Sequence, residues 1–286
     1  MAKAYVLYNP LAGNGSAYDT VITLKDVLDD DIEFFDIRDG ALCRDMLSSL
    51  DKNDYIVICG GDGTLNHFIN DMQDVRLEND VLYYPVGSGN DFARELGKSK
   101  GDKPFSVKKY LERLPCVTVF GKKYRFINGI GFGLDGYCCE EGDRLRAASK
   151  KIDYTAIAIK GLLFHYKPTK ARVIVDGKEY NYKRVWIAPT MFGKHYGGGM
   201  IPTPSQSRTK TPNNVSTLIL HNACSLKVLM IFPSIFKGEH ISYKKNVSII
   251  SGKSITVEFD RPAPLQIDGE TIVNVTSYTV NAYEDE

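Results

Sequence analysis

A carboxylate flanked by glycines lies between an apolar run and a helix-like segment early in the chain. The sequence there reads Gly60-Gly61-Asp62-Gly63-Thr64-Leu65-Asn66. Glycines remove each Cβ that would hold a phosphate away from the backbone, and the N–H groups of such a turn and of the following helix bind anions. Asp62 would repel phosphate oxygens unless a divalent cation lies between them. A tight turn with an aspartate helix cap has the same composition, so this motif alone leaves both interpretations open.

A second turn rich in glycine favours the anion-binding interpretation. Residues 85–94 read Pro-Val-Gly-Ser-Gly-Asn-Asp-Phe-Ala-Arg, which also follows an apolar run and opens a helix. Both turns fall at the carboxyl ends of strands, where open α/β sheets bind their ligands. The turn from Asn9 to Gly15, after the first apolar run, joins the same edge. Three such turns predict a nucleotide site, although the chain has neither a Walker-type phosphate loop nor a dinucleotide fingerprint after a strand.

The elements that must position these turns alternate along the first part of the chain. Strand-like and helix-like runs follow one another, which predicts βαβ units and a parallel sheet. The run 55–59 is apolar throughout, as expected of a strand buried on both faces. The other strand-like runs are 4–8, 33–37 and 81–86, and the helix-like runs are 21–28, 42–50 and 65–72, with a further helix start at Asp91.

The remainder of the chain is dominated by short β-rich runs. One helix-like run, 154–164, interrupts them, and Asp176-Gly177 between two such runs is a hairpin signal. This pattern of short strands predicts an antiparallel sandwich or barrel. We therefore expect an α/β domain over residues 1–118 and a mainly β domain over residues 119–286, and leave open that the C-terminal end returns to the first domain.

Composition excludes several classes of protein. With 286 residues, 43% hydrophobic and 25% charged, and a net charge of +1, the chain is typical of a globular protein and not of a nucleic-acid binder. No apolar run approaches the ~20 residues that a bilayer span requires, and the N-terminus has no secretory segment. The six cysteines show no metal-ligand spacing. These features predict a reduced, cytoplasmic protein.

Six motifs together resemble the diacylglycerol-kinase catalytic-domain family, which includes bacterial lipid kinases and sphingosine kinases. Each motif is weak alone, and the six in this order are specific. They are Asn9-Pro10 with Gly13, Gly60 to Asn66, Pro85 to Arg94, Asn128-Gly129-Ile130-Gly131-Phe132-Gly133-Leu134-Asp135, Gly197-Gly198-Gly199-Met200, and Gln266-Ile267-Asp268-Gly269-Glu270.

The resemblance implies an α/β nucleotide-binding domain with a parallel sheet, a β-sandwich second domain, and an active site in the cleft between the domains. It also implies ATP and Mg²⁺ as cofactors and transfer of the γ-phosphate to a lipid hydroxyl, most simply that of diacylglycerol or a related lipid. The nucleotide-binding residues implied are Asn9, Gly60, Gly61, Asp62, Gly63, Thr64, Asn66, Ser88, Gly89 and Asn90. The acids implied around magnesium are Asp62, Asp91 and Asp135, with Asp268 as the general base and Glu270 beside it.

Each implied acid also has a purely structural interpretation. Asp268-Gly269 is a hairpin dipeptide, and a hairpin tip is compatible with presenting a base. Asp91 suits the cap of its own helix. Asp135 follows a glycine-rich turn and suits an ordinary loop position.

The chain departs from the resemblance after Met200. An Asp-rich turn that holds a second, structural magnesium is expected there, but residues 207–214 read Ser-Arg-Thr-Lys-Thr-Pro-Asn-Asn, with two cations and no carboxylate. Such a segment offers poor ligands for a hard divalent ion. Two rival functions stay open at this point: an NAD-kinase-like kinase of a soluble substrate, and a non-catalytic sensor of nucleotide or lipid.

A lipid kinase without a membrane span must dock transiently on a membrane surface. The predicted contact is the basic cluster Arg144, Arg146, Lys150 and Lys151, with the helix 154–164 behind it. A solvated face is the alternative for such a cluster. The expected partners are thus a lipid substrate and a membrane, without nucleic acid; a homodimer is left open.

Overall fold

The chain divides into two compact units. The computed structural model describes residues 2–10, 17–75, 77–87 and 89–283, and the units are Met1–Leu114 and Pro115–Glu286. The predicted boundary after residue 118 runs through a strand, Cys116–Val119, that pairs inside the second unit. The last strand, Glu270–Asn281, also pairs inside the second unit.

The first unit is an α/β layer structure. Among its described residues, five strands form a sheet in the order β2-β1-β3-β4-β5, parallel except for the short edge pair β4–β5. In chain order the elements are β1 (Lys3–Tyr8), α1 (Ala17–Val21), a 3₁₀ turn (Ile22–Asp26), β2 (Asp31–Asp36), α2 (Gly40–Ser48), β3 (Tyr55–Gly60), α3 (Asp62–Asp71), β4 (Asp80–Pro85), α4 (Asp91–Glu95), β5 (Phe105–Ser106) and α5 (Lys108–Leu111).

The centre of this sheet is its most apolar part. β3 is buried from Ile56 to Gly60 because it lies between β1 and β4, which explains its unbroken apolar run. α3 begins at Asp62, three residues before the predicted start, since Gly61 in extended conformation already serves as its N-cap. The strand-to-helix turns predicted from the two glycine-rich motifs are confirmed as local structure.

The second unit is built mainly from antiparallel strands. Its elements are β6 (Cys116–Val119), β7 (Lys122–Arg125), β8 (Gly129–Phe132), α6 (Leu134–Ala147), α7 (Tyr154–Lys160), a π-helical turn (Gly161–His165), β9 (Thr169–Val175), β10 (Lys178–Val185), β11 (Thr190–Met191), β12 (Val215–Leu220), α8 (Ser225–Ile235), a 3₁₀ turn (Glu239–Ser242), β13 (Val247–Gly252), β14 (Ser254–Ile267) and β15 (Glu270–Asn281). The described strands run in the order β13-β12-β11-β8-β14-β15-β6-β7, and the β9–β10 hairpin joins at β14.

Two hairpin tips have the backbone that their sequences predict. Asp176 and Gly177 connect β9 to β10 with φ of 49° and 81°, and Asp268 and Gly269 connect β14 to β15 with φ of 47° and 99°. Positive φ at both central positions twists a two-residue turn to match the flanking strands, and Asp-Gly tolerates that conformation. The fold class is therefore as predicted: an α/β unit and a β-sandwich-like unit.

Two helices of the second unit were not predicted, and α6 is one of them. Its buried face is made of Leu134, Asp135, Gly136 and Gly142 instead of regularly spaced large apolar residues, so hydrophobic periodicity is missing. Gly136 lies so close to the β14 backbone that a Cβ would overlap the carbonyl oxygen of Pro264. Asp135 thus lies in the first turn of a helix, and the loop interpretation is wrong.

The other unpredicted helix is α8, in which apolar residues occur on all sides and Pro233 lies near the end. Neither feature gives the periodicity of an amphipathic helix. No helix in the described part of the chain is long and apolar enough to cross a membrane.

Candidate functional site

The two glycine-rich turns of the first unit pack directly against each other. The Gly60 carbonyl oxygen accepts hydrogen bonds from the N–H groups of Val86 and Gly87, both at 3.0 Å, and the Asp62 N–H donates to the Gly89 oxygen at 3.1 Å. A Cβ on Gly61 would lie 2.6 Å from the Gly89 oxygen, and one on Gly87 would lie 2.5 Å from the Gly61 nitrogen. The contact between the two turns therefore requires Gly61 and Gly87. The sequence interpretation had instead explained the glycines of the first turn by the room that a phosphate needs.

Asp62 connects the first turn to the helix that follows the second. Its carboxylate accepts hydrogen bonds from the N–H groups of Asp91 at 2.8 Å and Phe92 at 3.0 Å. A carboxylate on the first N–H groups of a helix satisfies donors without intrahelical partners and interacts favourably with the helix dipole. Asp62 thus caps α4, a helix 29 residues further along the chain. Its predicted role at magnesium stays a prediction.

The open part of this arrangement is the first turn of α3. Gly63 is exposed, and a Cβ on it would meet no atom within 4 Å. The N–H groups of Gly63 and Thr64 belong to the first turn of a ten-residue helix, where helix geometry supplies no acceptor. Such a turn can bind one anionic group of phosphate size, which is the fit expected for a nucleotide phosphate.

The remaining predicted nucleotide residues mostly hold the turns together. The Asn90 amide donates to the Gly87 oxygen at 2.8 Å, and Tyr83 donates to the Gly60 oxygen at 3.1 Å. Asn66 is buried and accepts from the Asn70 amide at 3.3 Å. Asn9 is half-buried one residue beyond β1. Ser88 and residues 11–16, including the predicted Gly13, lie outside the described residues.

Asp91 differs from the other first-unit acids in its burial. Its side chain is 3% exposed, and one of its oxygens lies 3.8 Å from Arg94 Nε in the next turn of α4. Asn90 occupies the N-cap position of α4 and Asp62 accepts from its first N–H groups, so Asp91 lies in the first turn, where its charge interacts favourably with the helix dipole. Its role near magnesium stays a prediction.

In the second unit, Asp268 is a hydrogen-bond acceptor for a neighbouring strand. Its carboxylate accepts from the backbone N–H groups of Ile127 at 2.6 Å, Asn128 at 2.9 Å and Gly129 at 2.9 Å. The Asp268 N–H in turn donates to the Gly129 oxygen at 3.0 Å. Three backbone N–H groups of one segment thus fix the orientation of this carboxylate. Glu270 is exposed at the start of β15.

Arg208 is a functional candidate that the sequence did not predict. It is 4% exposed, and its guanidinium donates to the Ile127 oxygen at 2.8 Å and the Asn128 Oδ1 at 2.9 Å. The Ile127–Asn128 peptide group therefore lies between two opposite charges, with Arg208 at its carbonyl oxygen and Asp268 at its N–H. The resemblance led us to expect acidic residues and a metal in the segment 207–214. The structure instead has a buried, positively charged side chain there, Arg208.

Asp135 is held by a tyrosine that the sequence also did not predict. The Tyr196 hydroxyl donates to Asp135 Oδ2 at 2.7 Å, and both side chains are buried. Burial raises the pKa of the Asp135 carboxyl to about 7, and the hydrogen bond from Tyr196 opposes this effect only in part. Asp135 can therefore exchange a proton near neutral pH, as groups in catalytic sites often do.

The glycine triplet after Tyr196 explains how that tyrosine is positioned. Gly197, Gly198 and Gly199 all have positive φ, between 59° and 111°, a conformation that favours glycine. The turn closes with reciprocal backbone hydrogen bonds between Tyr196 and Met200 at 3.0 and 3.1 Å. The motif Gly197 to Met200 was visible in the sequence, but nothing indicated that its purpose is to orient the preceding residue.

Metal ligands do not converge in the described part of the chain. No group of three or more histidine, cysteine, aspartate or glutamate side chains is placed there to hold an ion. Asp62 and Asp91 belong to the first unit and Asp135 to the second, and their joint role at magnesium stays a prediction.

Two of the four basic residues predicted to meet a membrane pair with carboxylates of their own helix. Arg144 pairs with Glu141 at 2.7 Å, and Arg146 pairs with Asp143 at 2.5 Å, each one turn earlier on α6. These carboxylates reduce the positive field that the cluster presents, and the solvated-face interpretation accounts for both arginines.

Comparison with known proteins places this geometry in a family. A model of the diacylglycerol kinase catalytic domain matches residues 3–115, and a model of the YegS C-terminal NAD kinase beta sandwich-like domain matches residues 128–281. The chain belongs to the family of proteins that combine these two domains, and the resemblance drawn from the six motifs is confirmed.

Individual relatives cover most of the chain. A diacylglycerol kinase of Mycobacterium tuberculosis is 25% identical over 271 residues, which are 90% of this chain and 85% of that protein. A crystal structure of a diacylglycerol kinase from Bacillus anthracis str. Sterne has a TM-score of 0.63 at 17% identity, and covers 99% of this chain and 97% of its own. Another structure from that strain has a TM-score of 0.68 at 18% identity, over 98% and 91% of the two chains. The structural likeness shows a shared fold.

Proposed function

We propose that this chain is an ATP-dependent kinase that transfers the γ-phosphate to a hydroxyl group of a lipid, with diacylglycerol or a related lipid as acceptor. The observation that carries the proposal is the first turn of α3, with exposed Gly63 and N–H groups to which helix geometry supplies no acceptor, in a chain that belongs to this family. The name of the Mycobacterium tuberculosis relative supports diacylglycerol as the first lipid to test.

In this proposal the N–H groups of Gly63 and Thr64 bind a phosphate of ATP. Their donors are fixed before the ligand arrives, because α3 is anchored at Gly61 by its contact with the second turn. Preorganised donors of this kind stabilise the charge that moves during phosphoryl transfer. Mg²⁺ would enter with the nucleotide, since at such sites one or two carboxylates and the phosphates commonly hold it.

Asp268 is the proposed general base for the lipid hydroxyl. Three backbone N–H groups impose its orientation, so the carboxylate is held in a defined direction before a substrate arrives. Arg208 is a positioning residue in this proposal, because it fixes the same peptide group from the other side. Asp135 and Tyr196 form a buried, hydrogen-bonded pair, and the proposal gives this pair no step in the transfer reaction.

The proposal is tested with radiolabelled ATP and a panel of lipids in mixed micelles, with separation of the products by thin-layer chromatography. Label in a lipid is the expected result. A parallel reaction with NAD addresses a second candidate, an NAD-kinase-like activity, which the match of residues 128–281 to an NAD kinase beta sandwich-like domain favours. Nucleotide binding without transfer to lipid or NAD would replace both activities with a sensor role.

A matched pair of variants tests the phosphate turn itself. Gly63→Ala places a methyl group in open space, so the fold should persist while the methyl crowds a bound phosphate, and we expect ATP affinity to fall about tenfold, or ~1.4 kcal/mol. Gly61→Ala places its methyl 2.6 Å from the Gly89 oxygen and should lower stability first. Calorimetric titration of ATP and thermal unfolding separate the two effects. If ATP affinity is unchanged in folded Gly63→Ala, the phosphate does not bind at the first turn of α3.

A further inference from the structure

α8 and the π-helical turn at Gly161–His165 pack on one apolar core of the second unit. Leu162 of the turn and Val228, Ile231 and Ile235 of α8 belong to the same buried cluster, and the two segments contact each other. Because the two segments also contact each other, their exposed sides adjoin, and we treat them as one outer surface. We call this surface the α8 face.

The α8 face exposes large apolar side chains. Phe164 is 77% exposed, Leu226 is 67% exposed and Met230 is 66% exposed. Leu226 and Met230 are four residues apart, so they lie on the same side of α8. Ile159, Leu163 and Phe236 add further exposed apolar groups on the same segments. Contiguous exposed apolar surface rimmed by polar groups is typical of a membrane or protein contact.

Charge decides between those two kinds of contact. The segments 154–167 and 225–237 contain four lysines, at positions 160, 167, 227 and 237, and no aspartate or glutamate, in a chain with a net charge of +1. Acids occur just outside: Asp153 accepts from the Ala156 N–H as the cap of α7, and Glu239 follows the second segment. Lysines around exposed aromatic and aliphatic side chains are the composition of a helix that lies in the interface of an anionic bilayer.

We propose that the α8 face docks on an anionic lipid bilayer, with Phe164, Leu226 and Met230 inserted among the lipids and the four lysines at the headgroups. This inference rests on the proposed function, because it concerns how that activity reaches a substrate confined to a membrane. The α8 face is distinct from the predicted cluster of Arg144, Arg146, Lys150 and Lys151, in which both arginines pair with carboxylates of α6.

The test measures binding to large unilamellar vesicles of phosphatidylcholine with increasing phosphatidylglycerol, by co-sedimentation. Binding of the parent protein should rise with phosphatidylglycerol content and fall with salt, since the Debye length shrinks to ~10 Å at 0.1 M. The double variant Leu226→Gln with Met230→Gln should bind such vesicles at least ~10-fold more weakly, because two apolar side chains no longer leave water. Glutamine is a good helix former, so α8 should persist in that variant.

Two further variants control for charge and for nonspecific apolar contact. Lys160→Glu with Lys237→Glu changes two exposed lysines, and it should abolish the dependence on phosphatidylglycerol. Phe120→Asn removes an aromatic ring that is 69% exposed in the turn between β6 and β7, and should leave vesicle binding unchanged. Phe120 has a φ of 50°, a conformation that asparagine adopts readily, so this control should fold normally.

Activity measurements separate this inference from the proposed function. On a short-chain, water-soluble diacylglycerol the glutamine double variant should match the parent, while on vesicles it should lose about as much as its binding does. Absence of turnover in the parent would reject the proposed function and leave the binding result to stand alone. Equal vesicle binding by the parent and the glutamine variant would overturn the inference. A parent dimer that becomes a monomer in that variant would also overturn it, and would assign the α8 face to a second copy of the chain.

Discussion

Replacing Asp268 by asparagine separates its structural role from its chemical one. The carboxylate accepts two N–H groups at Oδ1, from Asn128 and Gly129, and one at Oδ2, from Ile127 at 2.6 Å. Asparagine can keep the first two bonds with its oxygen, but its NH₂ group then faces the Ile127 N–H, donor against donor. Backbone strain does not enter, because asparagine tolerates the φ of 47° found here.

The expected loss of stability follows from these contacts. A buried donor left without an acceptor costs ~1–3 kcal/mol, and hydrogen bonds to a charged acceptor are about twice as strong as neutral ones. We expect a loss of roughly 2–4 kcal/mol for Asp268→Asn, which lowers the melting temperature of a unit of this size by about 5–15 °C. Differential scanning calorimetry measures this shift directly.

The second hairpin tip supplies the control. Asp176 also has positive φ before a glycine, and its Oδ1 accepts from the N–H groups of Lys253 at 2.9 Å and Ser254 at 2.8 Å. Its Oδ2 receives only a longer second contact, at 3.2 Å, from the same Lys253 N–H. Asp176→Asn can keep both of these bonds, so its melting temperature should stay close to that of the parent. Equal shifts in the two variants would refute the argument from donor geometry.

The same variant tests the proposed base. At a temperature well below its melting point, Asp268→Asn should lower kcat by ~10²–10⁴ while ATP affinity is retained. A lower melting temperature with turnover like that of the parent would mean that Asp268 only positions the strand at residues 127–129.

Three further predictions concern charged side chains with defined partners. Because burial raises the pKa of Asp135 from 3.8 to about 7, the folded protein holds this proton more tightly than the unfolded chain, and stability should fall as pH rises from about 4 to about 7. Asp135→Asn, measured by chemical denaturation with a chelator present, should flatten that slope, and the slope persisting in the variant would locate its origin elsewhere. Arg208→Ala should lower the free energy of unfolding by about 2–4 kcal/mol. Arg208→Lys should restore little of this stability, because one ammonium group does not reproduce the guanidinium fork that reaches both Ile127 and Asn128. Full restoration by lysine would mean that only the charge matters. Asp62→Asn should lower stability by ~1–3 kcal/mol through the loss of one cap hydrogen bond on α4. It should also weaken the dependence of ATP affinity on magnesium, which calorimetric titration measures. If ATP affinity of the parent does not depend on magnesium, Asp62 is a helix cap alone.

Local patterns were sufficient where neighbours in sequence are also neighbours in space. The strand-to-helix turns after β3 and β4 and the two Asp-Gly hairpin tips are each decided by a few consecutive residues with restricted or unusual φ. The alternation of apolar runs likewise predicted a parallel sheet in the first unit, which the structure confirms apart from its edge strand β5. α6 escaped prediction because its buried face carries glycines and an aspartate.

The roles of single acids depended on contacts that sequence separation hides. Asp62 caps a helix 29 residues away, Tyr196 reaches Asp135 across 61 residues, and Arg208 reaches Asn128 across 80. The residues of a motif are the same whether its carboxylate binds a metal, caps a helix or accepts hydrogen bonds from the N–H groups of a strand.

The sequence by itself thus determined the family, the succession of an α/β unit and a mainly β unit, and the turns before α3 and α4, because these depend on local backbone preferences and on an ordered set of motifs. Only the tertiary structure decided which polar groups meet. It showed that Gly61 and Gly87 are required by the contact between two turns, and that one peptide group lies between Arg208 and Asp268. Such contacts arise when separate strands and helices pack on a common core, and their geometry is not written in any one segment.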